Sequence, residues 1–217
     1  MVKQERAART RATVLHAAAV AFAGRGYDGT SLSQVSRAAG MSVGALTFHF
    51  ATKAELADAV LEEGWAMTRA VLDRITAEPA PALSTVVELT LGLARLMEEE
   101  ATVRSAIRLA RERPSAPAWS NSWLPAVRKL LEEAHRSGQL SDGTLPADVA
   151  TLVEYLTSGA EAHLRDRLDG DPAHESAAAR LERVWRLVLA GVSAHGGPTP
   201  PDTASPPDTA SRLGASA

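Results

Sequence analysis

The sequence predicts an all-α protein of about nine helices, with an N-terminal helix-turn-helix domain and a larger C-terminal helical domain. Ala, Leu, Glu and Arg, which favour helices, dominate the 217 residues, and no run alternates as a half-buried strand does. Ser or Thr followed three positions later by Gln or Glu predicts helix N-termini. Two short helices joined by a glycine-containing turn predict the helix-turn-helix.

The first two helices are defined by apolar spacing and by glycine. Residues 7–23 carry apolar side chains at helical spacing, and Gly24 is expected to end that helix. Ser31 and Gln34 predict a capping box for a short second helix that Gly40 closes. A small core is expected from Leu15, Phe22, Leu32, Val35, Ala38, Leu46 and Phe50.

Two further caps predict the next helices of the head. Ser42 caps a short helix that runs to about Phe50. Thr52 with Glu55 predicts another capping box and opens a long helix to about Thr76. Helices two and three therefore form the helix-turn-helix.

The remaining chain predicts a second helical domain and a tail. The repeated Pro-Pro-Asp-Thr-Ala-Ser motif of the tail lacks large apolar residues, which predicts disorder. The predicted domain limits are 1–53 for the head, 54–76 for a connecting helix, 77–194 for the second domain and 195–217 for the tail. Helices are expected over 82–98, about 102–112, from Trp119 or Trp123 to Ser137, from Pro146 to about Leu168, and about 174–194.

Charge divides unevenly along the chain. Residues 1–53 hold seven basic and two acidic residues, a net of +5. The other 164 residues hold 16 basic and 24 acidic, a net of −8, so the whole chain carries −3. A basic head on an acidic body favours a polyanionic partner for the head, although a solvated helical face is the alternative.

Several classes of site are excluded. The chain has no cysteine, which excludes disulfides, cysteine zinc sites and thiol nucleophiles. Gly24-Arg-Gly-Tyr-Asp-Gly29 matches the spacing G-x-G-x-x-G, but a helix precedes it, so we interpret it as a turn rather than a dinucleotide site. The six histidines show no metal-ligand spacing, and nothing assembles a catalytic set. We therefore predict no enzyme activity, no metal and no cofactor.

The first residues lack the apolar run of a signal peptide, and no stretch of about 18 consecutive apolar residues occurs. The expectation is a protein without a membrane segment, located in the cytoplasm.

The spacing of several short motifs over about residues 7–60 resembles that of the TetR-type one-component transcriptional regulators. These motifs are Gly26-Tyr27, Thr30-Ser-Leu32, Ala39-Gly-Met-Ser42, Gly44-Ala-Leu46, Phe48-His-Phe50 and Thr52-Lys53. Together with Gln4-Glu-Arg-Ala and the tryptophan near 120, they are similar to the γ-butyrolactone autoregulator receptors and pseudo-receptors of actinomycetes. The resemblance implies a homodimeric repressor that binds a double-stranded operator and is released by a small inducer.

The third helix is the expected recognition helix, and its first residues are small enough to approach the major groove closely. We expect Ser42, Val43, Gly44 and Ala45 to enter the major groove, with Gly44 in close contact with the DNA backbone. The Thr30 or Ser31 hydroxyl, helix N-terminal amides, His49 and Lys53 are expected to hold phosphates. Thr47 and Phe48 complete the predicted DNA-binding set, and Phe50 is expected in the core.

Two positions depart from the family pattern. Relatives commonly carry Lys where Val43 stands and Tyr where Thr47 stands, both usual DNA contacts. The departures remove one phosphate-neutralising charge and one aromatic hydroxyl, although a threonine at position 47 is long enough to reach a phosphate or a thymine methyl.

In the second domain the resemblance implies a ligand cavity among the middle helices and a dimer interface on the last two. Trp123 best matches the ligand-contacting tryptophan of the receptors, and Trp119 is the competing candidate. Tyr155 and Thr157 are polar groups in an otherwise apolar helix and could orient a ligand. For each of these candidates a purely structural role is the alternative, since a tryptophan at a helix start usually packs in a core. Helix packing, including a dimer seam, is expected of Leu152, Leu156, Leu181, Val184, Trp185 and Val188.

Two alternatives remain at the level of sequence. A helical enzyme would need titratable groups assembled in its cavity. A helical interaction protein would have a filled interior and no ligand-dependent DNA binding.

Overall fold

A computed structural model describes residues 2–168 and 175–193. These residues form nine α-helices and one short 3₁₀ helix, Trp119–Ser122, which confirms the predicted fold class. The predicted tail, 195–217, lies outside the described residues. The helices are α1 (Val2–Arg25), α2 (Leu32–Ala38), α3 (Val43–His49), α4 (Lys53–Thr76), α5 (Ala82–Glu99), α6 (Ala101–Glu112), α7 (Leu124–Arg136), α8 (Pro146–Leu168) and α9 (Ala177–Val192).

The predicted N-cap residues begin α2, α3 and α4, and the reciprocal bond of a capping box forms at α2 but not at α4. The Ser31 hydroxyl accepts a hydrogen bond from the Gln34 N–H, and the Gln34 side chain accepts one from the Ser31 N–H. The Ser42 hydroxyl caps α3 by accepting one hydrogen bond, from the Ala45 N–H at 3.2 Å. At α4 the Thr52 hydroxyl accepts from the Glu55 N–H, while the Glu55 carboxylate accepts from Ala51 rather than from Thr52. These caps satisfy N–H groups that have no partner inside the helix.

The end of α1 differs from the prediction. The helix begins at Val2 rather than near residue 7, continues through Gly24 and ends at Arg25. Gly26 has φ +73°, the left-handed backbone that terminates a helix, and its N–H still donates to the Phe22 carbonyl. Gly26 therefore performs the role expected of Gly24, because only the glycine with positive φ reverses the chain.

Two clusters of buried residues lie along the molecule. The head core is built from α1, α2, α3 and the first half of α4, and α6 adds Ala106 and Leu109 to it. Of the expected core residues, five are buried, Leu32 is half-buried and Ala38 is exposed, so Ala38 is a correction. The body core surrounds α5, which packs against α4, α7, α8 and α9. Because α4 and α6 supply residues to both cores, they connect the two.

The end of α6 is held against the turn that follows α1. The Glu112 carboxylate accepts a hydrogen bond from the Tyr27 N–H at 2.5 Å, and Arg108 donates to the Ala23 carbonyl at 2.9 Å. Arg108 also pairs with Glu112 at 2.7 Å. Arg113 pairs with Asp58 of α4. We call the contacts of Arg108 and Glu112 with residues 23–27 the α6–turn contact.

The protonation of Glu112 follows from this contact. Burial acts to raise the pKa of Glu112, but hydrogen bonds from Arg108 and from the Tyr27 N–H, with the charges of Arg108 and Arg111, lower it below its ordinary value. A lowered pKa means that the ionised group stabilises the fold at neutral pH, and that this contribution is lost as pH falls through the lowered pKa.

The α6–turn contact predicts different costs for alanine at two glycines with positive φ. A Cβ on Gly26 would lie 2.5 Å from a Glu112 carboxylate oxygen and 2.8 Å from Arg108, whereas one on Gly40, at φ +68°, would meet nothing within 4 Å. Gly40→Ala is expected to lower the free energy of unfolding by about 1–2 kcal/mol, the cost of the left-handed backbone alone. Gly26→Ala is expected to cost about 1–2 kcal/mol more, because hydrogen bonds to Glu112 are also displaced. Urea unfolding of both variants measures the difference, and equal losses would contradict the contact.

Candidate nucleic-acid interface and ligand cavity

The first turn of α3 is open to solvent. Ser42, Val43, Gly44 and Ala45 are all exposed, and a Cβ added to Gly44 would meet no atom within 4 Å. The fold therefore does not require glycine at position 44, although glycine costs a helix about 1 kcal/mol relative to alanine. A glycine that packing does not explain leaves room for a partner to approach the backbone.

The last turn of α3 has one aromatic side chain inward and one outward. Phe50, just after α3, is buried in the head core, which confirms its expected core position. The guanidinium carbon of Arg11 lies 5.0 Å from the centroid of the Phe50 ring. Phe48 is 86% exposed and makes an edge contact with the His49 ring at 5.5 Å between centroids. The Thr47 hydroxyl donates to the Gly44 carbonyl at 3.2 Å. Phe48 therefore points away from the head core, on the same short helix as the exposed Val43, Gly44 and Ala45.

The two hydroxyl candidates before α2 have different environments. Thr30 is 2% exposed, and its hydroxyl donates to the Gly26 carbonyl at 2.8 Å. Ser31 is exposed, and its oxygen accepts from Gln34, so its own hydroxyl hydrogen stays available. The geometry supports a phosphate contact from Ser31, while the hydroxyl proton of Thr30 is used within the fold.

Lys53 begins α4 and is fixed by the turn after α1. Its ammonium group lies 4.2 Å from the centroid of the Tyr27 ring and donates to the Tyr27 carbonyl at 3.1 Å. An ammonium group has three donors, so two remain for an anion. The backbone N–H of the same Tyr27 is held by Glu112, and this residue therefore joins Lys53 to α6.

A cavity of about 170 Å³ lies between α6, α8 and the segment before α7. Three of the four predicted ligand residues line it: Trp119, Trp123 and Thr157. The remaining described lining consists of Ile107, Ala110, Arg111, Ala118, Ser120, Glu154, Ser158 and Glu161. We call this space the Trp cavity.

The two tryptophans of the Trp cavity form one aromatic unit with different polar environments. Their rings meet edge to face at 5.8 Å between centroids. The Trp119 indole N–H donates to the Thr68 hydroxyl at 3.0 Å. The Trp123 Nε1 is buried and has no hydrogen-bond partner among the described residues. A buried N–H without a partner costs about 1–3 kcal/mol.

Tyr155 lies outside the Trp cavity. It is 71% exposed and is absent from the described cavity lining. Successive helical residues point about 100° apart, so a helix that turns Glu154 and Thr157 inward turns Tyr155 away. The Thr157 hydroxyl donates to the Val153 carbonyl at 2.8 Å.

The Trp cavity also has a charged part, formed by side chains that are not among the predicted ligand residues. Glu154, Thr157, Ser158 and Glu161 recur at helical spacing, so a polar stripe on α8 was visible in the sequence. Nothing in the sequence pairs Glu161 with Arg111, which lies 50 positions away and donates to it at 2.7 Å.

The described part of the chain holds no group of three or more metal-ligating side chains. No helix there is long and apolar enough to cross a membrane.

Comparison with known proteins identifies relatives of the head and of the whole chain. Residues 14–60 match the family model of the bacterial regulatory proteins of the tetR family. The chain is 27% identical over 195 residues to the A-factor receptor protein of Streptomyces griseus, covering 89% of this chain and 67% of that protein.

Solved structures extend this likeness to the fold. The TetR family protein CprB of Streptomyces coelicolor, in complex with its biological operator sequence, superposes with a TM-score of 0.73 at 31% identity, covering 87% of this chain and 90% of that one. A γ-butyrolactone receptor, an ArpA-like protein, superposes with a TM-score of 0.72 at 30% identity, with the same coverage of 87% and 90%. The members of this family are transcriptional regulators rather than enzymes, which confirms the predicted absence of catalysis. The chain belongs to the TetR family of DNA-binding regulatory proteins, in the group of the γ-butyrolactone receptors and their homologues.

Proposed function

We propose that this protein is a ligand-responsive transcriptional repressor that binds a roughly palindromic operator as a homodimer and leaves it when a small metabolite binds. The observation that carries the proposal is the exposed first turn of α3, where Gly44 faces open space. Small exposed residues at the start of a recognition helix permit close approach to the major groove. One such helix from each protomer would enter one half-site.

Phosphate contacts would flank this helix. Ser31 at the start of α2, His49 at the end of α3 and Lys53 at the start of α4 supply donors. Such contacts fix register and strengthen binding without reading sequence. Sequence would be read by residues 42–45 and by Thr47, with Phe48 available for apolar contact with a thymine methyl. Because Val43 is neutral, each protomer makes one phosphate contact fewer than it would with a lysine at position 43.

The last two helices would form the dimer interface. Tyr155 on α8 and Leu187 on α9 are exposed large side chains, and four residues of the predicted packing set are only half-buried. These four are Leu152, Leu156, Val184 and Val188. Leu181 and Trp185 of the predicted packing set are buried within the chain. Exposed apolar groups on adjacent helices favour a second copy as the partner that covers them.

Release would begin in the Trp cavity and pass through α6. Ile107 and Ala110 of α6 line the cavity, and Arg108 and Glu112 of the same helix make the α6–turn contact. A ligand shifts the equilibrium only if it binds the DNA-incompetent arrangement more tightly than the competent one. Displacement of α6 would move Tyr27 and with it Lys53. The ligand would be a butyrolactone-like autoregulator or an antibiotic-related compound, since the relatives include γ-butyrolactone receptors.

The role of Gly44 predicts that stability and DNA binding change in opposite directions. Gly44→Ala is expected to stabilise the free protein by up to about 1 kcal/mol, because alanine favours the helix. It is expected to weaken DNA binding by about tenfold or more, because a methyl group inserted into a tight contact costs about 1–3 kcal/mol. Binding is measured by fluorescence anisotropy on a duplex that the unchanged protein selects from a random pool. Gly24→Ala, in α1 with no atom within 4 Å of its added Cβ, is the matched control and should leave affinity unchanged. Unchanged affinity of the Gly44 variant would remove Gly44 from the interface.

The role of Lys53 predicts a change in salt dependence. Lys53→Gln should weaken binding about equally on random and selected duplexes. The slope of log K against log salt should decrease by about 0.9, the value for one phosphate contact. Lys129→Gln, an exposed lysine of α7, is the control and should keep the slope. A Lys53 variant that alters sequence preference with its slope intact would contradict the assignment.

The unpartnered indole of Trp123 predicts loss of ligand binding without loss of fold. Trp123→Phe keeps a buried aromatic ring but removes the N–H donor and should weaken binding of γ-decalactone, a simple butyrolactone probe, by about tenfold. DNA binding in the absence of probe should persist. Trp185→Phe is the matched control, because Trp185 is equally buried with an unpartnered indole but does not line the Trp cavity. Equal probe binding by both variants, measured by calorimetry, would remove Trp123 from the ligand site.

A further inference from the structure

The Trp cavity is small for a metabolite. Its volume is about 170 Å³. A dry engineered cavity of about 150 Å³ holds benzene, whereas ligand sites usually measure about 300–1,000 Å³. A ring bearing an alkyl chain therefore needs space beyond this cavity.

A larger groove adjoins the Trp cavity. It has a volume of about 730 Å³ and lies between the end of α1, α6 and the later part of α8. Arg111 and Glu161 line both spaces, so their ion pair separates one from the other. This ion pair is partly exposed, with side-chain exposures of 44% and 18%, and such pairs contribute little to stability. A ligand that replaces one partner can therefore join the two spaces at small cost.

The groove is rich in arginine. Arg104, Arg108, Arg111 and Arg165 line it, against the two carboxylates of Glu112 and Glu161. The other described lining residues, among them Val20, Ala23, Met97 and Leu164, are mostly apolar. We call this space the arginine groove. Apolar walls with convergent guanidinium groups are suited to an amphipathic anion.

Arg104 is the least compensated of these cations. It donates to the Met97 and Glu98 carbonyls, both at 2.8 Å, and forms no ion pair with a carboxylate of the described chain. Burial lowers the pKa of Arg104, an effect that the charge of Glu100 partly offsets. A carboxylate supplied by a ligand would compensate this desolvated charge.

We propose that the inducing ligand is an amphipathic carboxylate that spans both spaces, with its apolar end on Trp119 and Trp123 and its carboxylate in the arginine groove. The proposal rests on the proposed function and specifies its ligand chemistry. The ligand carboxylate takes the place of Glu161 on Arg111 and approaches Arg104 and Arg165. It thereby acts on α6 within one turn of Arg108 and Glu112, which hold the turn after α1.

A matched pair of probes tests this. γ-Decalactone is neutral, and 4-hydroxydecanoate, its ring-opened form, carries one carboxylate on the same carbon skeleton. Binding of each to the full chain is measured by calorimetry at pH 7.5, with tryptophan fluorescence as a second readout. The unchanged protein should bind 4-hydroxydecanoate at least about tenfold more tightly, as expected for an added charged hydrogen bond. The affinity for 4-hydroxydecanoate should fall as the salt concentration rises, and the affinity for the lactone should not.

Three variants distinguish the loss of a charged contact with the ligand from damage to the fold. Arg165→Gln, at a partly exposed side chain, should weaken 4-hydroxydecanoate binding about tenfold and leave the lactone unchanged. Glu161→Gln removes the competing carboxylate and should strengthen 4-hydroxydecanoate binding severalfold, a gain that damage to the fold would not produce. Arg128→Gln, an exposed arginine of α7 outside both spaces, should alter neither.

The outcomes distinguish this proposal from the proposed function. If both probes bind equally and the Arg165 and Glu161 variants change neither, or if 4-hydroxydecanoate fails to bind, the carboxylate proposal is overturned. If Trp123→Phe still weakens lactone binding in that case, the Trp cavity remains the ligand site. If Trp123→Phe changes neither probe, the ligand part of the proposed function fails as well, while the DNA-binding tests of Gly44 and Lys53 stand apart.

Discussion

The packing of α6 between the two cores is the constraint on which the rest of the structure depends. Its Ala106 and Leu109 are buried with the head, while Val103 and Ile107 are buried with the body. A helix is rigid over its twelve residues, so a displacement imposed at one face moves the other. The head cannot take up a new position relative to the body without a change in the packing of this helix.

The polar contacts at the end of α6 turn this packing into a defined geometry. Apolar contacts tolerate small rotations, whereas the hydrogen bonds of Arg108 and Glu112 to the turn after α1 require specific atoms at specific distances. The same turn provides the ring and carbonyl of Tyr27 that hold Lys53. In the proposed repressor, two contacts therefore link α6, which lines the Trp cavity, to the phosphate-binding Lys53. The first joins Glu112 to Tyr27, and the second joins Tyr27 to Lys53. The partly exposed ion pairs involved are weak enough for a ligand to exchange.

Local signals predicted the helices well, and tertiary contacts account for most of the errors. The caps at Ser31, Ser42 and Thr52 are correct because a cap is satisfied within four residues of sequence. The end of α1 was misplaced because Gly24 and Gly26 look alike in sequence, and only the backbone with positive φ identifies the second. Ser31 and Thr30 were indistinguishable for the same reason, since burial of the Thr30 hydroxyl depends on the turn at Gly26. In the second domain, Trp119, Trp123 and Thr157 line one cavity, whereas Tyr155 lies on the opposite side of α8 and is exposed.

The sequence by itself determined the all-helical class, the helix-turn-helix with its exposed small residues, the basic head on an acidic body and the family. These properties are carried by spacing, composition and short motifs, which need no knowledge of distant contacts. Only the tertiary structure decided that Arg111 meets Glu161, that Glu112 reaches Tyr27 and that the Trp cavity adjoins the arginine groove. Those residues are separated by 50 or more positions, and the chain between them must fold before any pairing exists.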